Sequence, residues 1–259
     1  MPQLPAADAA RIAAYLGADT GFAPINVVAE TGSTNTDLLR AIVAGEASPG
    51  AVLIAEHQTS GRGRFTREWL DTPGTNIAMS ILVKPKRPMT QWGWLSLLSG
   101  MAVTTALRSL DATQAFRVEL KWPNDVLIDT RKVCGIIADG NGEYAVIGIG
   151  VNVGQQLEEL PLPSATSLAL AGLPTDKSLI IARILTSFAQ YFEQWQLTGD
   201  IRTEYLALSA TIGRSVRVIL SDTESCEGEA VAIAGDGALV VSRAGVPTPF
   251  AAGDVVHLR

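Results

Sequence analysis

Cysteine and histidine are scarce in this chain, and their scarcity excludes several kinds of site. The 259 residues include two cysteines and two histidines. Two cysteines in a chain of this length do not make the disulfide framework of small secreted domains. Cys134, Cys226, His57 and His257 do not follow the spacing of a zinc site. Because Cys134 falls in a strand predicted to be buried, we expect it to pack in the core rather than to act as a nucleophile.

Long apolar runs and an excess of positive charge are also missing. No apolar stretch approaches the ~20 residues that span a bilayer, and the N-terminus has neither the basic nor the apolar region of a signal peptide. The chain has 20 Lys and Arg against 26 Asp and Glu, a net charge of −6, whereas a protein that coats nucleic acid leans basic. The sequence thus predicts a cytoplasmic protein that binds neither membrane nor DNA.

The pattern of the chain predicts two domains. Apolar residues make up 47% and charged residues 18%, which is typical of a globular protein with a sizeable core. Segments with helical and strand patterns occur up to residue 211, and short strands separated by turns follow from residue 212. We therefore predict a larger domain over residues 1–211 and a small β-barrel over residues 212–259.

The larger domain is predicted to be of the α+β class. Helical patterns cover residues 6–16, 36–45, 92–110, 178–195 and 201–209, and strand patterns cover residues 25–30, 51–57, 76–84, 118–122, 125–129, 132–139 and 144–153. The last four strands are separated by turn signals, which favours antiparallel neighbours. Residues 58–74 have no periodicity and contain three glycines and three arginines, so they are predicted to form a long loop.

Gly61-Arg62-Gly63-Arg64 is the most informative motif in this loop. Glycines let a backbone approach an anion, and closely spaced guanidiniums suit a phosphate or a carboxylate. A solvated basic loop and an Arg/Gly segment of the RNA-binding type are the alternatives, although a segment of the latter type usually repeats.

Other motifs have a structural as well as a functional interpretation. Ser33-Thr34-Asn35 can bind a polar ligand or cap a helix. The segment KWPND at 121–125 can face a ligand or form an ordinary turn. Lys132 can face a substrate from its apolar strand or reach from the strand end to water.

A nucleotide site of a familiar kind is not indicated. The glycines of residues 148–153 fail the dinucleotide-binding pattern because the third glycine is missing and no helical pattern follows. A phosphate-binding P-loop motif is also missing from the sequence.

The succession of these motifs resembles the biotin–protein ligases from about residue 25 to the C-terminus, in the form without an N-terminal DNA-binding domain. The resemblance implies a mixed, largely antiparallel sheet with helices packed on one face, similar to class II aminoacyl-tRNA synthetases, and a Src-homology-3-like barrel. It implies that biotin reacts with ATP to give biotinyl-adenylate, and that a lysine of a carrier domain then takes the biotinyl group.

The resemblance also implies roles for individual residues. The biotin site would comprise Ser33, Thr34, Asn35, Gln58, Arg62, Gly63, Arg64, Lys132, Gly135, Gly148 and Gly150. The nucleotide would contact Arg64, Trp69, Asn124, Lys132 and Asn152. The catalytic residues would be Arg64, Lys132 and Asp125, with Asp125 orienting or deprotonating the incoming lysine. ATP, biotin and magnesium are implied, with the magnesium ion held mainly through phosphates rather than by protein ligands.

The implied partner is a biotin carboxyl carrier domain, and the implied assembly is a monomer or a weak homodimer. Only about 24 residues precede the first predicted strand, too few for a winged helix, so no repressor function is expected. A lipoate or octanoate ligase or transferase and a non-catalytic biotin-responsive regulator remain alternatives. Thr66 stands where the family loop commonly has glycine, so we expect a stiffer loop or a negative φ there.

Overall fold

A seven-stranded sheet forms the centre of the larger part of the chain in a computed structural model that describes residues 4–17, 20–65, 67–70, 72–111 and 113–258. Its strands are β1 (Ile25–Val28), β2 (Val52–Ala55), β3 (Asn76–Val83), β4 (Val118–Lys121), β5 (Asp125–Ile128), β6 (Arg131–Asn141) and β7 (Tyr144–Asn152). In space their order is β1-β2-β3-β7-β6-β5-β4. Only β1 and β2 pair in parallel among these strands. The predicted mixed, largely antiparallel sheet is confirmed.

Three helices form a layer on one face of this sheet. The α-helices of the described residues are α1 (Ala9–Leu16), α2 (Thr34–Ala44), α3 (Gly93–Leu110), α4 (Lys177–Thr198) and α5 (Arg202–Leu208). The layer consists of α1, α3 and α4, with α4 packed between the other two. Side chains of these helices share one apolar core with alternate residues of β3 and β7, such as Ile81 and Ile147.

Helix α2 lies on the opposite face, so the helices are not all on one side. Leu38 of α2 packs with Leu82 of β3 and Val146 of β7. These two strand residues are direct neighbours of Ile81 and Ile147 in sequence and therefore point the other way. The resemblance predicted helices on one face, and that description fits α1, α3 and α4. Both faces of the central strands are consequently covered.

The C-terminal residues form a separate antiparallel sheet, as expected for a small barrel. Its strands are β8 (Ser215–Ile219), β9 (Ser225–Ile233), β10 (Leu239–Arg243), β11 (Val246–Phe250) and β12 (Asp254–His257), in the order β11-β10-β9-β8-β12. Two buried tryptophans of the larger part hold its turn at 235–237: Trp94 Nε1 donates to Gly235 O at 3.0 Å and Trp122 Nε1 to Gly237 O at 3.1 Å. The apolar core is continuous from one sheet to the other.

Among the described residues, no helix combines the length and the apolar character needed to cross a bilayer.

Candidate active site

The sheet face beneath α2 carries glycines at its centre. A Cβ at Gly148 of β7 would lie 2.4 Å from Asn35 Oδ1, and a Cβ at Gly150 would lie 2.6 Å from the ring of Trp69. Gly135 of β6 pairs with Gly150, and its Cβ would lie 2.8 Å from the same ring. Real Cβ atoms do not approach this closely, so any side chain at these positions displaces an amide or an indole. The three glycines thus make room on the sheet for groups from α2 and from the loop at 58–74.

The polar residues at the start of α2 form one buried, hydrogen-bonded group. Ser33, Thr34 and Asn35 are all buried. Gln58 Oε1 accepts from the Thr34 backbone N–H at 2.9 Å and from its hydroxyl at 3.1 Å. The Ser80 hydroxyl of β3 donates to Asn35 Oδ1 at 2.5 Å and lies 2.7 Å from Thr34 Oγ1. The Ser33 side chain makes no capping bond, so Gln58, not Ser33, satisfies a free N–H of the first turn.

Asp139 and Ser80 belong to this site but were not identified from the sequence. Asp139 Oδ2 accepts from Asn35 Nδ2 at 3.0 Å and from Arg62 Nη2 at 2.6 Å. The signal for Asp139 was a carboxylate in phase with Gly135 along β6, and the signal for Ser80 was a hydroxyl within an otherwise apolar stretch of β3. A continuous set of hydrogen bonds therefore runs from the start of α2 to the first arginine of the loop.

The second and third arginines of the loop contact the C-terminal sheet. Arg64 Nη1 donates to Gly253 O at 3.0 Å and lies 3.4 Å from Asp254 Oδ1. Arg67 pairs with the other oxygen of the same carboxylate. Burial lowers the pKa of Arg64, while the negative charges of Asp254 and Asp125 raise it. The guanidinium still carries its charge near neutral pH, because arginine is not deprotonated in proteins.

An aromatic residue lies between these arginines. Phe65 has a φ of 59°, and the Arg64 and Arg67 guanidinium carbons lie 4.9 and 5.8 Å from its ring centroid. Its side chain is exposed. Thr66 lies outside the described residues, so its effect on the loop stays a prediction.

Lys132 meets Asp125 beside the loop. Its Nζ lies 2.5 Å from Asp125 Oδ1 and 5.9 Å from the Trp69 ring centroid. Asp125 is placed by its pairing with Gly135 across β5 and β6, and its charge also acts on Arg64. Lys132 and Asp125 therefore lie next to the loop residue Trp69, on the same part of the sheet.

The two asparagines predicted to contact a nucleotide are engaged within the protein. Asn124 Nδ2 donates to Ile136 O at 2.8 Å, which fixes the turn before β5 onto β6. Asn152 is buried; its Nδ2 donates to Thr166 O at 3.0 Å and its Oδ1 accepts from Gln155 Nε2 at 3.4 Å. These bonds position the backbone of both segments, and a nucleotide contact by either side chain remains a prediction.

A cleft of about 820 Å³ lies along the loop, lined by residues 57–65, 67–70 and 137–139. Its size suits a small organic ligand, since such sites occupy roughly 300–1,000 Å³. Arg62, Arg64 and Trp69 line it, whereas Lys132 does not. The buried Trp69 Nε1 has no hydrogen-bond partner among the described residues. The indole occupies the space above Gly135 and Gly150.

Cys134 belongs to the core rather than to this cleft. Cys134 is fully buried on β6, and burial raises the pKa of its thiol, so it packs in the core as predicted. Within the described ranges, no group of three or more His, Cys, Asp or Glu side chains lies together as a possible set of metal ligands.

Comparison with known proteins agrees with the geometry. Residues 27–153 match the Biotin/lipoate A/B protein ligase family, and residues 211–258 match the Biotin protein ligase C terminal domain. The biotin–[acetyl-CoA-carboxylase] ligase of Mycobacterium tuberculosis is 41% identical over 247 residues, which cover 94% of this chain and 92% of that protein. The bifunctional ligase/repressor BirA of Bacillus spizizenii is 31% identical over 83% of this chain and 67% of its own length.

The fold is also shared with a solved structure. Biotin protein ligase from Aquifex aeolicus, in complex with biotin and ATP, has a TM-score of 0.76 at 24% identity and covers 92% of this chain and 100% of its own. Because the sequence match to the Mycobacterium relative extends over nearly the whole of both chains, this chain belongs to the biotin protein ligase family.

Proposed function

We propose that this chain joins biotin to a specific lysine of a biotin carboxyl carrier domain, using ATP and passing through biotinyl-adenylate. The observation that carries the proposal is that Lys132, Trp69 and Arg62 lie on one sheet face, beside the buried polar group at the start of α2. The name of the Mycobacterium relative, a biotin–[acetyl-CoA-carboxylase] ligase, supports the same activity.

Biotin would lie at the start of α2, beside the Trp69 indole that covers Gly135 and Gly150. A neutral ureido ring needs a few hydroxyl and amide partners within a mostly apolar pocket, and Ser33, Thr34, Asn35 and Gln58 supply them. The fixed orientation of the Asn35 amide, with Nδ2 on Asp139 and Oδ1 on Ser80, would help the site to distinguish ring donors from acceptors.

The first step joins a carboxylate to a triphosphate, so charge repulsion is its main obstacle. A carboxylate oxygen of biotin attacks the α-phosphorus, a P–O bond forms, and pyrophosphate leaves with the electrons of the broken bond. Arg62, Gly63 and Arg64 of the loop and Lys132 of β6 would bind the carboxylate and the α-phosphate. Preorganised cations of this kind stabilise the charge that develops in the transition state.

Magnesium fits this site as an ion held by the substrate. The carboxylates Asp125 and Asp139 already face Lys132 and Arg62, and magnesium is commonly bound through phosphate oxygens and water. Bound with ATP, it neutralises phosphate charge. Trp69, Asn124 and Asn152 would contact the nucleotide.

In the second step the amine of the carrier lysine attacks the acyl carbon. A C–N bond forms, the C–O bond to AMP breaks, and the amine loses a proton. Asp125 would orient or deprotonate that amine, since its carboxylate is held at the site by Lys132. The carrier would approach from the solvent side of the cleft. We further propose that the chain acts in the cytoplasm as a monomer or weak homodimer and binds no DNA.

The test is incubation with ATP, Mg²⁺, labelled biotin and an apo carrier domain. We expect the label on the carrier lysine. Exchange of labelled pyrophosphate into ATP, measured with biotin and separately with lipoate, distinguishes the two substrates of the matched family. Exchange with lipoate alone would overturn the proposal in favour of a lipoate ligase. Exchange with neither acid would exclude both ligase activities.

A further inference from the structure

Lys177 is a buried cation that the proposed reaction does not use. It is the first residue of α4, and its side chain is 1% exposed. A positive charge in the first turn of a helix is opposed by the helix dipole, and burial of an ammonium group is costly unless it is paired and hydrogen-bonded. Local structure therefore does not favour lysine here, and its partners must account for it.

Those partners are the two ends of the loop at 58–74. The Lys177 ammonium donates to a carboxylate oxygen of Glu56, which directly follows β2, and to Gly74 O at 3.2 Å, just before β3. The two ends also bond to each other, because Gly74 N–H donates to Glu56 O at 3.0 Å. The other oxygen of Glu56 accepts from the Ala7 N–H at 2.8 Å. One ammonium group thus joins both ends of the loop to the longest helix of the core.

We infer that Lys177 is a positioning residue that fixes the base of the loop and thereby places Arg62 and Arg64 at the cleft. The inference rests on the proposed function in so far as these arginines bind the biotin carboxylate and the phosphate. An isolated buried ion pair contributes little to stability compared with apolar residues of the same shape. We therefore assign this ion pair the role of holding the two ends of the loop in position rather than of stabilising the fold.

The experiment uses the full chain with both charges replaced at once. In Glu56→Gln/Lys177→Met the side chains keep their approximate volume, no unpaired charge is buried, and the glutamine oxygen can still accept from Ala7. We expect biotinyl-adenylate to dissociate about tenfold faster or more, which corresponds to about 1.4 kcal/mol. Trypsin should cleave within 62–67 several-fold faster without any ligand. The midpoint of urea unfolding should stay close to that of the wild-type chain.

The matched control carries the same two substitutions in an exposed ion pair, Lys84→Met/Glu143→Gln, where Nζ and Oε2 lie 2.8 Å apart. It should behave as the wild-type chain in both assays. A second control, Ile184→Val in the buried part of α4, lowers stability without touching the loop base and should leave adenylate release unchanged.

Adenylate release and trypsin cleavage at wild-type rates in the double variant would overturn the inference. Equal acceleration in the Ile184→Val control would overturn it too, because the effect would then follow from lost stability. If the double variant does not fold, hydrogen exchange in the wild-type chain decides: the Gly74 amide should be protected like those of β3, and exchange at the rate of exposed loop amides refutes a fixed base. A wild-type chain that makes no adenylate refutes the proposed function, while trypsin cleavage still tests the loop base.

Discussion

A carboxylate stands opposite each cation of the candidate site. Lys132 faces Asp125, Arg62 faces Asp139, and Arg64 and Arg67 share Asp254. An anionic ligand therefore does not meet free cations. Each cation has to leave its protein carboxylate in order to bind the ligand. This exchange lowers the net gain from each contact, and it favours a ligand that presents a carboxylate and a phosphate together.

Lys132→Ala should reduce adenylate formation by roughly 10²–10³, the usual cost of removing one oriented donor from a transition state. The measurement is biotin-dependent pyrophosphate exchange. Lys86→Ala, at an exposed position, is the control and should retain full activity. Near wild-type exchange in Lys132→Ala would exclude this lysine from the site.

Asp139→Asn should tighten the binding of biotin by up to about fivefold. The change removes a charge that competes with the biotin carboxylate for Arg62, and partly exposed ion pairs are worth about 0.2–1 kcal/mol. The asparagine oxygen can still accept from Asn35. Calorimetric titration with biotin and with its uncharged methyl ester gives the comparison. An equal change for both ligands would contradict charge competition.

At the scale of elements, the loop at 58–74 contacts both sheets. It leaves β2 and returns to β3 of the larger sheet, while Arg64 and Arg67 bond to the start of β12 in the smaller one. The contacts of these two arginines are polar and lie outside the shared apolar core. The loop can therefore change its affinity for ligands without changing the stability of the fold.

Arg64→Ala should accelerate the release of adenylate while leaving the melting temperature within a few degrees of the wild-type value, because the lost contacts are partly exposed polar ones. Release is measured from the preformed complex, and melting by calorimetry. Arg202→Ala, which breaks the exposed pair with Asp200, provides the control. A large loss of thermal stability in Arg64→Ala alone would contradict this placement of the loop.

Most elements could be predicted because their signals are local. Gly45 ends α2 with a φ of 72° as its position after a helical pattern indicates, and β3 appears as an apolar run ended by proline. Asp254 and Lys177 could not be identified as site residues, since their partners lie 190 and 121 residues away. Spacing along the chain carries no signal for such contacts.

At the scale of the whole molecule, the junction between the two sheets carries a titratable group. His257 of β12 lies 3.1 Å from Thr211 Oγ1. Burial, with the positive charges of Lys121 and Arg214, lowers the pKa of His257 to about 4. The folded chain therefore keeps this imidazole neutral at pH values where an unfolded chain, with a histidine pKa of about 6.5, takes up a proton.

This difference predicts a loss of stability as the pH falls from about 6.5 to about 4, because the unfolded state then binds more protons than the folded state. His257→Gln should weaken the pH dependence of the urea unfolding midpoint within that window. Above about pH 7 the pH dependence should be the same as in the wild-type chain. Parallel curves for the variant and the wild-type chain would mean that other groups account for the acid sensitivity.

The fluorescence of Trp69, whose indole lies above Gly135 and Gly150, should respond to ligands that enter the cleft. Trp94, Trp122 and Trp195 are sealed in the core, and their emission should be insensitive to what enters the cleft. Trp69 lines the cleft, and its ring lies directly over those two glycines. The protein thus contains its own fluorophore for following the arrival of a ligand in real time, with no label attached.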